Sequence, residues 1–425
     1  MRYARPKGTK DFVPPESGRK QWAEAEFRRR AELYGFREAV TPIIESTELF
    51  VKSSGETSDV VTKEMYTFKD RGDRSITLRP EGTPGITRAL LENALRLPRR
   101  LYYIGPMFRY NRPQKGRYRE FFQLGVESFG EANPQVDAEV IALGAEFFRG
   151  LGIADCESQV NSIGCRECRP QYYEKLKTYL AGRQDRLCDD CRVRTAQNPL
   201  RVFDCKEESC QVLLADAPRA KDNLCAACAE HFAGVQEGLK TRGVPFVIND
   251  RMVRGLDYYS RTAFEYISRS IGAQDSLGGG GRYDYLVEDF GGPATPAIGF
   301  ALGEERALLA APGSAAPEPQ LVFVVALSET ERPAAIALLG ELRAGGIPAR
   351  MDYDSRKVQK QFRTADTAGA RYCAVLGSDE VAKGTVALKD MKSGEQREVS
   401  RAGLARELNS EVRRQNTEVG TEKME

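Results

Sequence analysis

A single histidine, His231, stands in a chain of 425 residues. Ser-His-Asp triads, HExxH zinc sites and multi-histidine metal centres are set aside as explanations of any activity by that scarcity. Charge of one sign is also missing: 63 Lys and Arg face 61 Asp and Glu, a formal charge of +2, so the chain is not the strongly basic particle that simply coats nucleic acid. No apolar run approaches the roughly 20 residues of a membrane-spanning helix. The first residues, Met1 to Gly8, carry charge but no apolar stretch of a secretory signal, so the expected location is the cytoplasm, where disulfides are improbable. Chemistry must then rest on Arg, Glu, Tyr, Lys or Cys. The length predicts two or three domains.

Helical spacing of Trp22, Ala23, Phe27, Ala31 and Leu33 among charges predicts a surface helix over Lys20–Tyr34. Ala39–Ile44 reads as a short edge strand interrupted by Pro42, a residue tolerated only at an edge or strand end, and such an edge suits an interface. Between Met65 and Glu127, β-like runs (Met65–Phe68, Ile76–Leu78, Arg100–Ile104, Phe121–Val126) alternate with turns and one helix over Ile86–Leu95, which is the pattern of an antiparallel sheet with helices packed on it. Asp137–Leu151 is helical in composition. A Cys-rich insert of about seventy residues follows Asn161, and strand-like patterns resume near Phe246. Ala311–Pro319, made of Pro, Gly and Ala with few other residues, reads as a linker. Beyond it, Leu321–Leu327, Ala334–Leu342, Tyr372–Leu376 and Thr385–Leu388 read as strand, helix, strand and strand of a small α/β domain with a partly parallel sheet.

Three stretches could carry chemistry. Phe108–Gln123 gathers five cations (Arg109, Arg112, Lys115, Arg117, Arg119) around a Pro/Gly turn between two β-like runs, and guanidinium forks projected by such a hairpin suit polyphosphate. Val253–Tyr259, read as a strand with Arg, Asp and two Tyr, is followed by Leu277–Asp284 with four consecutive glycines, which are kept where backbone approaches something closely. Pro296–Arg306 is a strand-to-helix transition that sets Arg306 one turn into the helix, able to face a phosphate. Each alone has a plain reading as a solvated basic hairpin, a glycine turn or a surface ion pair.

In this order they resemble the three motifs of class II aminoacyl-tRNA synthetases. Thr41–Phe50 resembles motif 1, Phe108–Gln123 motif 2 and Gly299–Arg306 motif 3, while Arg254–Tyr259 with Gly278–Asp284 is similar to the two signature stretches of bacterial-type histidyl-tRNA synthetases. Pro6–Asp11 and Leu78–Thr83 fit the same family. The resemblance implies an α+β fold: a class II antiparallel sheet with flanking helices over 1–160 and 236–311, a Cys-rich insertion domain over 161–235, a linker at 312–319, a C-terminal α/β anticodon-binding domain over 320–409, and a tail at 410–425. It implies activation of L-histidine by ATP with Mg²⁺ to histidyl-adenylate, transfer to the 3′ end of histidine tRNA, and a homodimer formed through motif 1.

By the same resemblance Arg109 holds the α-phosphate, Arg117 and Arg306 hold the terminal phosphates, and Arg254 stabilises the pentacovalent phosphorus where related enzymes use a metal. Glu81, Thr83 and Gln123 are the expected ligands of the ammonium group. Glu127 and Tyr259, aided by Tyr258, are the expected readers of the imidazole. Arg112 and Gln114 are expected to reach the tRNA acceptor end. Two positions depart from the pattern: Asn111 stands where motif 2 usually has the Glu that reads adenine, and Phe121-Phe122 replaces Phe-His. An amide can still pair with the N6 and N7 edges of adenine.

Eight of the ten cysteines form four close pairs, Cys165/Cys168, Cys188/Cys191, Cys205/Cys210 and Cys225/Cys228. The spacing favours structural zinc over incidental buried thiols, with two sites arithmetically allowed and the pairing open. His231 lies close enough to Cys228 in sequence to be a ligand, although an ordinary surface histidine is the simpler expectation. Arg166, Arg169, Lys175 and Lys177 supply charge for an acceptor arm. Two other readings compete: a synthetase-like regulatory subunit without the chemistry, and plain RNA binding, which leaves Glu81 and Glu127 unexplained.

Overall fold

The computed structural model describes residues 3–55, 58–253, 258–272, 275–313, 320–354 and 357–410. The chain divides into two units, Met1–Ala316 and Pro317–Glu425, and the division falls in the stretch read as a linker.

In the first unit, α1 (Glu16–Leu33) has Ala23, Phe27 and Ala31 at four-residue spacing, all fully buried, so one stripe of the expected surface helix is core. The stretch expected as a strand, Ala39–Ile44, is instead mostly the connection between two strands. Pro42 has no N–H to continue a ladder, and β1 (Arg37–Glu38) and β2 (Ile44–Ser46) join different sheets. Next come α2 (Thr47–Ser54), β3 (Tyr66–Lys69), β4 (Ser75–Leu78), α3 (Thr83–Glu92), β5 (Arg99–Phe108), β6 (Glu120–Phe129), α4 (Pro134–Gly150) and β7 (Glu157–Ser162). Pro84 and Pro134 each sit in a helix's first turn, where their missing N–H has no partner to lose.

The insert follows with α5 (Arg169–Ala181), α6 (Asp189–Gln197), α7 (Glu208–Leu213) and α8 (Ala226–Thr241). The chain then adds β8 (Phe246–Ile248), β9 (Ser260–Ile267), β10 (Ser276–Arg282), α9 (Leu286–Asp289), β11 (Ala297–Gly303) and α10 (Glu304–Ala310). Strand β9 begins at Ser260, so Tyr258 and Tyr259 precede it rather than lying on it.

Eight strands form one sheet in the order β1-β5-β6-β11-β10-β9-β7-β8, antiparallel except at its two edges, where β1 with β5 and β7 with β8 are parallel. A separate antiparallel sheet has the order β2-β4-β3. Alternation along β6 decides what each face of the large sheet does. Leu124 and Val126 join Phe27, Phe147 and Phe300 in the core under α1 and α4. Gln123 and Glu127, offset by one residue, turn to the opposite face. There Tyr103, Tyr258, Tyr259 and Tyr283 pack with Ile86 and Leu90 of α3.

The second unit contains β12 (Val322–Ala326), α11 (Arg332–Ala344), β13 (Ala349–Met351), α12 (Val358–Thr367), β14 (Tyr372–Leu376), α13 (Ser378–Lys383), β15 (Thr385–Asp390) and β16 (Gln396–Ser400). Its sheet runs β13-β12-β14-β15-β16, parallel across the first three strands and antiparallel thereafter. Every residue of β12 and β14 is buried, which is why these two read as continuous apolar runs.

Candidate active site

A cavity of about 590 Å³ opens on the face of the sheet that carries Gln123. Its lining includes Glu81, Thr83, Arg109, Asn111, Arg117, Gln123, Tyr258, Tyr259 and Arg306, so nine residues expected from separate stretches meet in one space. Arg254 lies outside the described residues. Arg112 and Gln114 are exposed on the β5–β6 hairpin, where Gln114 and Arg117 pair across the tip.

One end of the cavity is cationic. Arg109 follows β5 directly, and its Nε donates to the Pro80 carbonyl at 2.9 Å. Arg117 donates to Asn111 Oδ1 at 2.8 Å, so the amide that replaces the usual Glu already orients a neighbouring guanidinium. Arg306, in the first turn of α10, is steered by the Gly116 carbonyl at 3.1 Å and the Ser276 carbonyl at 2.7 Å. Glu305 also lines the space, but the Phe122 N–H reaches both of its oxygens, at 3.0 and 3.1 Å.

The other end is buried and acidic. Glu81 precedes α3, 3 % exposed, and accepts from Ser54 Oγ at 3.0 Å and from Tyr258 Oη at 3.4 Å. Burial pushes its carboxyl above the usual range, opposed by the charge of Arg109. Glu127 does not line the cavity. It lies behind Thr83, whose Oγ1 donates to Glu127 Oε1 at 2.5 Å, and Tyr283 donates to its other oxygen. Burial pushes the Glu127 carboxyl up to about 8, although both hydroxyls favour its charged form. Two glycines make the arrangement fit: a Cβ at Gly299, opposite Glu127 in the β6–β11 register, would lie 1.8 Å from Glu127 Oε2, and one at Gly281 would lie 2.8 Å from the Tyr259 ring. The four-glycine run does serve close approach. Among the described residues, Gln123 Oε1 and the Tyr103 hydroxyl are buried without a hydrogen-bond partner, and an acceptor left bare in a polar cavity suits a donor brought by a ligand.

Several residues here were not singled out from the sequence. Tyr283 lay within a quoted stretch but without a role; Ser54 and Tyr103 gave no signal, because only the fold brings them beside Glu81 and Gly82.

Other expectations are corrected. His231 is neither a surface residue nor grouped with the cysteines: it is 5 % exposed, with Nε2 2.8 Å from Asp137 Oδ2. Arg169 is turned inward onto backbone carbonyls of Gly164 (3.1 Å) and Tyr259 (2.5 Å), which removes it as a phosphate ligand. The cysteines gather in two groups, Cys165, Cys168, Cys225 and Cys228, and Cys188, Cys191, Cys205 and Cys210.

A mostly antiparallel sheet with flanking helices, a hairpin of arginines over a cavity and an arginine in the helix after the last strand of the first unit are what the resemblance to class II aminoacyl-tRNA synthetases implies. Comparison with known proteins narrows this. The sequence matches the family described as histidyl-tRNA synthetase over residues 8–165 and 194–306, and an anticodon-binding domain over 321–411. The chain belongs to the histidyl-tRNA synthetase family. It is 48% identical over 422 residues to the histidine–tRNA ligase of Pelotomaculum thermopropionicum, covering 97% of this chain and 99% of that one. Identity to the ligase of Moorella thermoacetica is 49% over 411 residues, 95% and 97% of the two chains. The crystal structure of apo S. aureus histidyl-tRNA synthetase matches with a TM-score of 0.76 at 35% identity, covering 96% of this chain and 99% of that one. Such identity to ligases, together with the anticodon-binding match, sets aside the regulatory-subunit reading.

Proposed function

We propose that the chain performs the ligase reaction of its family, activating L-histidine with ATP and esterifying it to histidine tRNA, with the residues of this cavity, and Glu127 behind Thr83, in the following roles. Arg109 grips the α-phosphate while Arg117 and Arg306 hold the terminal phosphates, and Asn111 meets adenine. Glu81, Thr83 and Gln123 receive the ammonium group; the bare Gln123 Oε1 supports this. Glu127, with Tyr258 and Tyr259, reads the imidazole, whose donor and acceptor on opposite edges would leave buried partners unpaired if another side chain entered. The observation that carries the reading is the sharing of one cavity by three arginines and an acidic, tyrosine-lined end.

The histidine carboxylate then attacks the α-phosphorus in line, and pyrophosphate leaves. Fixed guanidinium groups neutralise the charge that develops, so catalysis is positioning and electrostatics without a covalent enzyme intermediate. By its place in the family motif, Arg254 is proposed to stabilise the pentacovalent phosphorus. Glu265, which lines the same cavity, would offer an oxygen ligand to magnesium bound with ATP, which would supply further charge neutralisation. The exposed Arg112 and Gln114 suit the acceptor end of the tRNA. The surroundings of Pro42 support a homodimer: Val40 is 84% exposed, and Ile43 and Ile44 are exposed beside it. No described helix is long and apolar enough to cross a membrane, and we place the enzyme in the cytoplasm.

ATP–pyrophosphate exchange measured with each of the twenty amino acids tests the reading. Exchange should depend on histidine and vanish in Glu127→Ala; equal exchange with other amino acids would overturn it.

A further inference from the structure

The insert's eight thiols are nested. Cys165 and Cys168 stand just after β7, where the chain leaves the catalytic sheet, and Cys225 and Cys228 stand at the start of α8, where it returns. Cys188 and Cys191 open α6, and Cys205 and Cys210 flank the start of α7, inside that outer loop. Within each set all four sulfurs lie within 4.8 Å of one another. The measured Sγ–Sγ separations are 3.9 Å for Cys165–Cys168, 3.8 Å for Cys165–Cys225, 3.9 Å for Cys168–Cys228 and 3.8 Å for Cys188–Cys205. A disulfide needs about 2.05 Å. Four thiolates at a zinc–sulfur distance of about 2.3 Å around a tetrahedron are separated by about 3.75 Å, which is the spacing seen.

Backbone groups are arranged for thiolates as well. The Cys165 N–H donates to Cys168 Sγ at 3.3 Å and the Cys188 N–H to Cys210 Sγ at 3.3 Å, contacts that fix sulfur orientation around an ion. Gly164 has φ +75°, and a Cβ there would lie 2.8 Å from Cys168 Sγ. Sulfurs this close leave room for one ion per set, and a tetrahedral all-sulfur site suits zinc, with iron the competing metal of that geometry that the metal count must distinguish.

The outer set is also tied to the cavity. Ile163 and Gly164 exchange backbone hydrogen bonds with Arg261 at 2.8 Å each. Arg169, next to Cys168, holds the Tyr259 carbonyl at 2.5 Å. The turn that presents Tyr258 and Tyr259 is thus braced from behind by the outer set, whereas the inner set belongs to the insert's own core with Leu176, Leu180 and Leu213 and, among the described residues, reaches the cavity only through Arg201 and Asp204, away from that turn in sequence.

We propose that the insert binds two zinc ions, one by Cys165, Cys168, Cys225 and Cys228 and one by Cys188, Cys191, Cys205 and Cys210, and that the outer ion positions the Tyr258–Tyr259 wall of the histidine site. The second half rests on the function proposed above; the first half does not. The full chain, purified without chelator or added metal, should carry two zinc per polypeptide, with one lost in Cys225→Ser and one in Cys205→Ser. Cys225→His, which restores four ligands, should carry two. Cobalt substituted for zinc should give the absorption bands of tetrahedral thiolate coordination. Less than one zinc in the wild-type chain, or loss of both ions from either single variant, overturns the two-site assignment. In pyrophosphate exchange, Cys225→Ser should raise the KM for histidine about tenfold with the KM for ATP unchanged, and Cys225→His should restore it. Cys205→Ser should leave the KM for histidine unchanged. A Cys225→Ser protein that has lost one zinc but keeps its histidine KM refutes the positioning role. If the wild-type chain shows no histidine-dependent exchange at all, the functional reading has failed and the zinc count still stands or falls by itself.

Discussion

Two carboxylates ten positions apart are both fully buried, and their surroundings treat them in opposite ways. Asp137, in α4, receives Arg282 as a close ion pair, Thr262 Oγ1 at 2.6 Å and His231 Nε2 at 2.8 Å, and the Arg282 charge with these hydrogen bonds holds it below the ordinary carboxylate range despite burial. Glu127, on the other side of the sheet, has two neutral hydroxyls and, among the described residues, no ion pair, and burial carries it up to about 8. The first is a satisfied knot joining α4, α8 and the middle of the sheet. The second is held by two hydroxyls among the described residues, at the place where we propose that the imidazole is read. Degree of burial does not separate scaffold from site; what the buried charge faces does.

Breaking the knot is the largest effect we expect. Asp137→Ala leaves the Arg282 guanidinium, 1 % exposed, with Asp284 alone as a carboxylate partner. Removing one member of a buried pair costs about 3–5 kcal/mol. Urea titration followed by tyrosine fluorescence should show the midpoint falling accordingly. A loss below about 1 kcal/mol would mean that the knot is no more important than a surface ion pair and that the contrast with Glu127 is wrong.

The contrast sharpens on the pH axis because the two shifts have opposite signs. Glu127 titrates near 8 when folded and near 4.3 when unfolded, so the folded chain holds the extra proton between those values. Its contribution is fully present below about pH 4.3 and is lost as pH rises through 8, at up to about 1.4 kcal/mol per pH unit. Asp137 behaves conversely: its contribution is present above the unfolded carboxylate pKa and is lost as pH falls through its lowered folded value. Glu304, up to about 8, and Glu305, up to about 7, add to the alkaline-side slope. Glu127→Gln removes only its own share. It should therefore melt higher than the wild-type chain at pH 8.5, converge with it near pH 5, and have lost histidine-dependent exchange. Parallel melting curves at the two pH values would show that Glu127 is ionised in the folded protein.

How far the sequence exposed these features follows from how local each one is. Motif 2 is a hairpin, so its arginines and the turn between them are encoded within a dozen residues, and the same is true of the strand-to-helix step that sets Arg306. Parity along β6 likewise puts Gln123 and Glu127 on one face. Pairings between distant segments were not readable: His231 meets Asp137 across 94 positions, and nothing near His231 advertises that carboxylate. Cysteine spacing pointed to metal but left the ligand sets open, because adjacent and nested pairing have equivalent local patterns. Pro42 marked a break whose consequence, an expected strand replaced by a connection between two sheets, appears only when both partners are in place. Ser54 and Tyr103 reach the site by packing alone.

The smallest effect concerns a carboxylate that is absent. Asn111 sits half-buried at the rim of the cavity, where a charge keeps water on one side, and its Oδ1 accepts from Arg117 at 2.8 Å. Asn111→Glu places there an acid that is neither knotted like Asp137 nor desolvated like Glu127. Bonds to a charged acceptor exceed neutral ones by about 1 kcal/mol, so the KM for ATP should fall about fivefold if the new carboxylate accepts from the adenine amine. The KM for histidine should not move, because the buried end lies beyond Arg109. A rise in the ATP KM would instead mean that Glu at 111 draws Arg117 away from the phosphates, and would identify the present amide as the device that leaves that guanidinium free to serve them.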